Sequence, residues 1–145
     1  MSTIDFAFGA ENRIRKACEV AYKHFLAGRQ MLVYCTDAKR MQAFSKGLWG
    51  IEKTAFVPHV DAKDPSAGSV LIRTTADNPA NALLPGQEPP WLLNLDLACP
   101  PDYEQFPRVL EIVSEHEQDK QLARERWKHY SANPANKVKA HSISS

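Results

Sequence analysis

From Glu11 to Ala27 the apolar residues Ile14, Cys18, Ala21 and Phe25 recur every three or four positions, with Arg13, Arg15, Lys16 and Lys23 falling between them. That period predicts a helix with one buried stripe. Gly28 follows as its stop signal. Met31 to Cys35 is then an unbroken apolar run, the pattern of a strand covered on both faces in a parallel sheet. Thr36 or Asp37 can cap a second helix, whose inner face carries Met41, Phe44 and Leu48. Ahead of all these, Thr3 to Phe8 alternates as a short strand that Gly9 ends, so the chain opens strand, helix, strand, helix.

The second half is more broken. Asp61 to Gly68 is rich in Asp, Pro, Ser and Gly and reads as a loop. Ser69 to Arg73 reads as a strand, Asp77 to Pro90 as a long Pro-rich connection, and Trp91 to Leu95 as a further strand. Pro100 and Pro101 break the chain, and Arg108 to Val113, rich in β-branched residues, predicts a fifth strand after a helical turn over Asp102 to Phe106. A last helix is expected from about Glu117 to Ser131. Residues 1–132 then form one domain, and the small polar residues of 133–145 a flexible tail. Helices alternating with apolar strands favour a three-layer α/β sandwich with a mostly parallel sheet.

Composition narrows the class. At 145 residues the chain suits one domain, and 43% hydrophobic with 24% charged residues is near the soluble globular average. The longest apolar runs fall far short of the roughly 20 residues that span a bilayer. The stretch Met1 to Phe8 lacks the basic and apolar regions of a secretory signal. Cys18, Cys35 and Cys99 are odd in number and widely spaced, which disfavours a disulfide frame or zinc site and fits a reducing cytoplasm. Net charge is +1, but its distribution is uneven. Asp102 to Asp119 is acidic apart from Arg108, whereas Lys120, Arg124, Arg126, Lys128, Lys137 and Lys139 afterwards face Glu125 alone, a candidate anion-binding surface.

Catalytic patterns are missing from the sequence. Neither a Gly-x-x-x-x-Gly-Lys-Ser/Thr loop nor Gly-x-Gly-x-x-Gly follows the first strand, where the residues are Phe8-Gly9-Ala10-Glu11. His24, His59, His116, His129 and His141 contain no His-x-x-x-His pair, and His24 and His59 read as surface or turn histidines. Glu115 and Glu117 fit the start of the last helix, where the dipole favours negative charge. No metal site, cofactor or catalytic set is expected.

Two stretches carry specific information: Leu48-Trp49 followed by Ala55-Phe56-Val57-Pro58-His59, and the run Lys120-Gln-Leu-Ala-Arg124-Glu-Arg126-Trp127-Lys128-His129-Tyr130. With the strand-helix opening, they resemble the chi subunit of the bacterial DNA polymerase III holoenzyme across most of the chain. The resemblance implies a Rossmann-like fold lacking a phosphate-binding loop, and a non-catalytic accessory role. It implies two partners, the psi subunit of the clamp loader and the acidic C-terminal tail of single-stranded DNA-binding protein, which ends in Pro-Phe with a free carboxylate. Contact with DNA would be mainly indirect, and no membrane is involved.

Carried over by position, the tail-binding residues are Val113, Lys120, Arg124 and Trp127, and the psi-binding residues are Trp49, Phe56, Val57 and Pro58. The chemistry suits the first set: Lys120, Arg124 and Trp127 stand at i, i+4 and i+7 on one helix face, an Arg fork can hold carboxylates, and Trp127 with Val113 can wall a pocket for a Phe ring. The family often has Tyr at Trp127. The alternative for Trp127 is ordinary core, packed with Leu122, Ala123 and Tyr130. Trp49, Phe56, Val57 and Pro58 suit an apolar hot spot, or equally a loop folded on the sheet. A second function class is direct single-stranded nucleic-acid binding by the basic C-terminal helix and tail, with Trp127 stacking a base beside Lys137 and Lys139. A third is an enzyme with a degenerate nucleotide site.

Overall fold

The computed structural model describes residues 2–51 and 57–143. Over them the chain runs β1 (Thr3–Ala10), α1 (Arg13–Leu26), β2 (Met31–Tyr34), α2 (Ala38–Trp49), β3 (His59–Asp61), β4 (Ile72–Thr75), β5 (Trp91–Asn94), β6 (Arg108–Ser114), α3 (Glu117–Ser131) and β7 (Lys137–Ser142). Local chemistry sets the helix ends. The Asn12 and Asp37 side chains accept from the Arg15 and Arg40 amides, each at 3.0 Å, capping α1 and α2. Gly28, at φ +70°, turns the chain out of α1: its amide reaches the Phe25 carbonyl at 3.0 Å and that of Arg29 the His24 carbonyl at 2.9 Å.

The strands form a single sheet in the order β3-β4-β2-β5-β6-β1-β7, every pair parallel. Alternation along each strand divides the core in two. Met31, Val33, Leu93 and Ile112 pack with α1 and α2 on one face, and Leu32, Leu92, Val109 and Val113 with Ala123 and Tyr130 of α3 on the other. This is the α/β fold expected, with a sheet that is wholly parallel.

Neighbouring strands β1 and β6 send their following helices to opposite faces. At the strand ends beside this divide Arg13 directs its guanidinium to four backbone carbonyls, those of Asp96 (2.9 Å), Asn94 and Ile112 (3.0 Å each) and Leu95 (3.3 Å). Open sheets of this kind receive ligands in such a crevice.

Three expectations need correction. The strand read at Ser69 to Arg73 begins later, because Ala67–Ser69 closes a 3-10 turn and buried polar residues extend β4: Arg73 is buried and donates to the Ala82 carbonyl at 2.7 Å. His59, read as a turn residue, opens the short β3. In place of the flexible tail after Asn133, Lys137–Ser142 pair with β1 over six registered positions, from Thr3 with Lys137 to Phe8 with Ser142. β7 is almost wholly exposed. Backbone pairing rather than burial therefore holds it, satisfying what would otherwise be the open edge of β1.

Candidate functional site

The rotation of α3 is set from inside. Ala123, Arg126 and Tyr130 point inward, and the last two meet Glu111 of β6, which is fully buried. Arg126 Nε donates to Glu111 Oε1 at 3.0 Å, the Tyr130 hydroxyl to Oε2 at 2.8 Å, and Asn94 Nδ2 to Oε2 at 2.7 Å. Burial, with Glu111 adding to it, pushes the Tyr130 phenol well above its ordinary value. At the start of the helix both the amide and the hydroxyl of Ser114 donate to Asp119 Oδ2 at 2.7 Å, tying α3 to the end of β6. Arg126, read from the sequence as part of a basic surface, is thus an internal strut.

With those residues turned in, Lys120, Arg124 and Trp127 face the sheet edge. Together with Val113 they line one open cleft of about 480 Å³. Its floor is apolar: Phe6 and Phe8 of β1 and Ala140 of β7. Trp127 is both wall and support, half-buried with its ring centroid 5.1 Å from that of Phe6, so the core reading of this residue is met by Phe6 while its outer side remains on the cleft. The cations stand at the rim. Lys120 Nζ lies 3.4 Å from Glu115, and Arg124 3.8 Å from Glu117, with both cationic side chains still exposed in part. An apolar hollow with a cationic rim can take an aromatic ring that carries a carboxylate. Phe6, Phe8 and Ala140 were not singled out in the sequence. The parallel registry of β1 with β6 and β7, which sets Phe8 beside Val113 and Phe6 beside Ala140, brings them here, and alternation in β1 was the signal that pointed to the two Phe.

The second predicted set is only partly on the surface. Trp49, at the end of α2, is 45% exposed and its ring lies 5.0 Å from that of His59. His59 is fixed by Ser45 Oγ at Nε2 (2.7 Å) and by the Val57 carbonyl, to which Nδ1–H donates at 2.9 Å. Val57 is fully buried in the core and Pro58 is partly exposed. Phe56 lies outside the described residues.

Val138 packs on the α3 side and Ile143 on the α1 side, so alternation turns Lys137 and Lys139 to the face opposite Trp127. Trp127 and the two lysines therefore do not share one face of the sheet. His24 is 7% exposed rather than on the surface. Burial, then Arg29 and Lys23, lowers its pKa to about 4. Cys18 and Cys99 are pushed up to about 11, chiefly by burial. Among the described residues no group of three or more His, Cys, Asp or Glu could hold a metal, and no helix is long and apolar enough to cross a membrane.

Residues 1–136 match the family described as DNA polymerase III chi subunit, HolC. The DNA polymerase III subunit chi of Pseudomonas aeruginosa is 29% identical over 118 residues, 81% of this chain and 78% of the relative. The protein of the same name from Escherichia coli K12 is 26% identical over 129 residues, 89% and 83% of the two chains. β7 follows directly after the family match ends.

Proposed function

The chain belongs to the DNA polymerase III chi subunit family, and from that premise we propose that it is a non-catalytic, cytoplasmic accessory subunit that bridges two partners in replication. The α3 cleft receives the acidic C-terminal tail of single-stranded DNA-binding protein. The terminal Phe ring enters between Val113, Phe6 and Trp127, and its carboxylate and the preceding acids meet Lys120 and Arg124. The α2 end, through Trp49 and Pro58 with the adjoining Phe56 and Val57, holds the psi subunit of the clamp loader. Because Val57 is core, its part there is to fix Pro58 and the neighbouring chain.

The observation that carries this reading is that Val113, Lys120, Arg124 and Trp127, spread over two elements, line one cleft. Fluorescence anisotropy with a labelled acidic peptide ending in Pro-Phe tests it. Micromolar affinity, about 8 kcal/mol, is expected at low salt. Since Arg124 is exposed, Arg124→Ala should weaken binding about tenfold, about 1.4 kcal/mol, and deletion of the last Phe should abolish it. A variant binding as tightly as the wild type would refute the site.

A further inference from the structure

On the α1 face, at the end where the strands begin, cations gather around an indole far from the α3 cleft. Trp91, the first residue of β5, is partly exposed; His24 packs edge-on against it at 4.7 Å, and the guanidinium carbons of Arg29 and Arg108 lie 5.0 and 4.7 Å from its ring centroid. The row continues across the sheet. Leu92 pairs with Val109, which sets Trp91 beside Arg108; Arg108 pairs with Thr3, and Thr3 with Lys137. One same-face step along, Asp5 pairs with Lys139 and accepts from Arg108 at 2.8 Å. Both lysines are exposed. Four strands at the usual spacing make this row about 14 Å wide.

We propose that this row, Arg29, Arg108, Lys137 and Lys139 around Trp91, is a docking surface for single-stranded DNA. The four cations of this row outnumber the carboxylate of Asp5, which Arg108 meets, and the excess calls for a polyanion; DNA is the polyanion that a polymerase subunit meets. Lys137 and Lys139 repeat every second residue, about 6.8 Å apart, comparable to successive phosphates on an extended strand. The two guanidiniums already lie against the indole, so less side-chain freedom is lost when their planar forks meet phosphate. Both guanidiniums lie over the indole, and a planar guanidinium can itself stack on a base, which an unpaired strand offers and a closed duplex does not. Arg29, Trp91 and Arg108 lie within the matched family residues, and Lys137 and Lys139 lie just past them.

The test is anisotropy of a labelled oligothymidylate with the full chain, over a salt series starting near 20 mM, beside a duplex of equal length and vesicles containing phosphatidylserine. Saturable binding is expected, with a log-log salt slope of about −2.8 for four phosphates. The double variant Lys137→Gln/Lys139→Gln changes only exposed side chains and should bind at least fivefold more weakly. Lys120→Gln/Arg124→Gln, on the other face, should bind oligothymidylate as the wild type does, which separates this surface from the peptide cleft. No saturable binding, or no loss in the Lys137/Lys139 variant, would overturn the proposal. Equal or tighter binding of the duplex would overturn the single-strand assignment, and lysine-dependent binding of vesicles without oligothymidylate would give the surface to lipid instead.

Discussion

Glu111 and Arg126 meet in the buried centre of the molecule, with Nε to Oε1 at 3.0 Å and side chains 0% and 1% exposed. A second guanidinium, that of Arg13, stands 3.7 Å from the same carboxylate oxygen. Removing one member strands the other, and breaking a buried pair in this way typically costs 3–5 kcal/mol. Glu111→Ala should therefore lower the unfolding free energy read from chemical denaturation by roughly 3 kcal/mol or more. Joint replacement with Glu111→Leu/Arg126→Met should recover much of the loss. A single variant as stable as the wild type would show that the pair does not hold α3.

Gly47 is set in α2 where the two helices of the α1 face touch. A Cβ at this position would lie 2.7 Å from Cys18 Sγ, which itself reaches the Phe44 carbonyl at 3.3 Å. In an exposed helix Gly→Ala stabilises by about 1 kcal/mol. Here overpacking should reverse the sign, with Gly47→Ala costing about 1–3 kcal/mol. Urea denaturation of Gly47→Ala, Cys18→Ala and the double variant checks it: the two effects should be strongly non-additive.

The strand-helix opening was legible because its apolar periods are clean and its caps are local: Asn12, Asp37 and Gly28 act within their own turns. The grouping of Val113, Lys120, Arg124 and Trp127 around one cleft was legible too, three of them sharing one helix face. What stayed hidden depended on long-range pairing. β7 has no buried stripe to announce it, although Lys137-Val-Lys-Ala-His-Ser alternates; only the unfilled edge of β1 explains its position. Arg126 looks like its basic neighbours in sequence, and only Glu111, fifteen residues away, distinguishes a strut from a surface charge.

His24 offers a pH test. Its ring is buried with Nδ1 unpartnered, and burial lowers the pKa from 6.5 to about 4. The folded state thus binds a proton less readily than the unfolded chain. The neutral ring's contribution is full above about pH 6.5, falls as pH drops from there toward 4, and is constant below. The expected loss is about 2 kcal/mol between pH 7 and 4.5, at 1.36 kcal/mol per unit with allowance for partial solvation. Carboxylates titrate over part of this range, so the comparison is with His24→Gln: urea midpoints of the variant should vary less with pH. Parallel curves would contradict a buried neutral His24.

Glu115 and Glu117 place carboxylates where an acidic peptide would place its own. Glu115 lines the cleft and lies 3.4 Å from Lys120, and Glu117 lies 3.8 Å from Arg124. Both pairs are exposed, a setting in which ion pairs contribute about 0–1 kcal/mol, so an incoming carboxylate can displace them at little cost, and until it does they lower the positive potential at the rim. Glu115→Gln/Glu117→Gln should therefore bind the Pro-Phe peptide about two- to fivefold more tightly at low salt, the gain shrinking as screening rises. Faster association should account for part of it, since charge complementarity acts on encounter. The comparison is titration of the wild type and the double variant at two salt concentrations. Weaker binding by the double variant would mean that the two acids hold Lys120 and Arg124 in their receiving positions rather than compete for them.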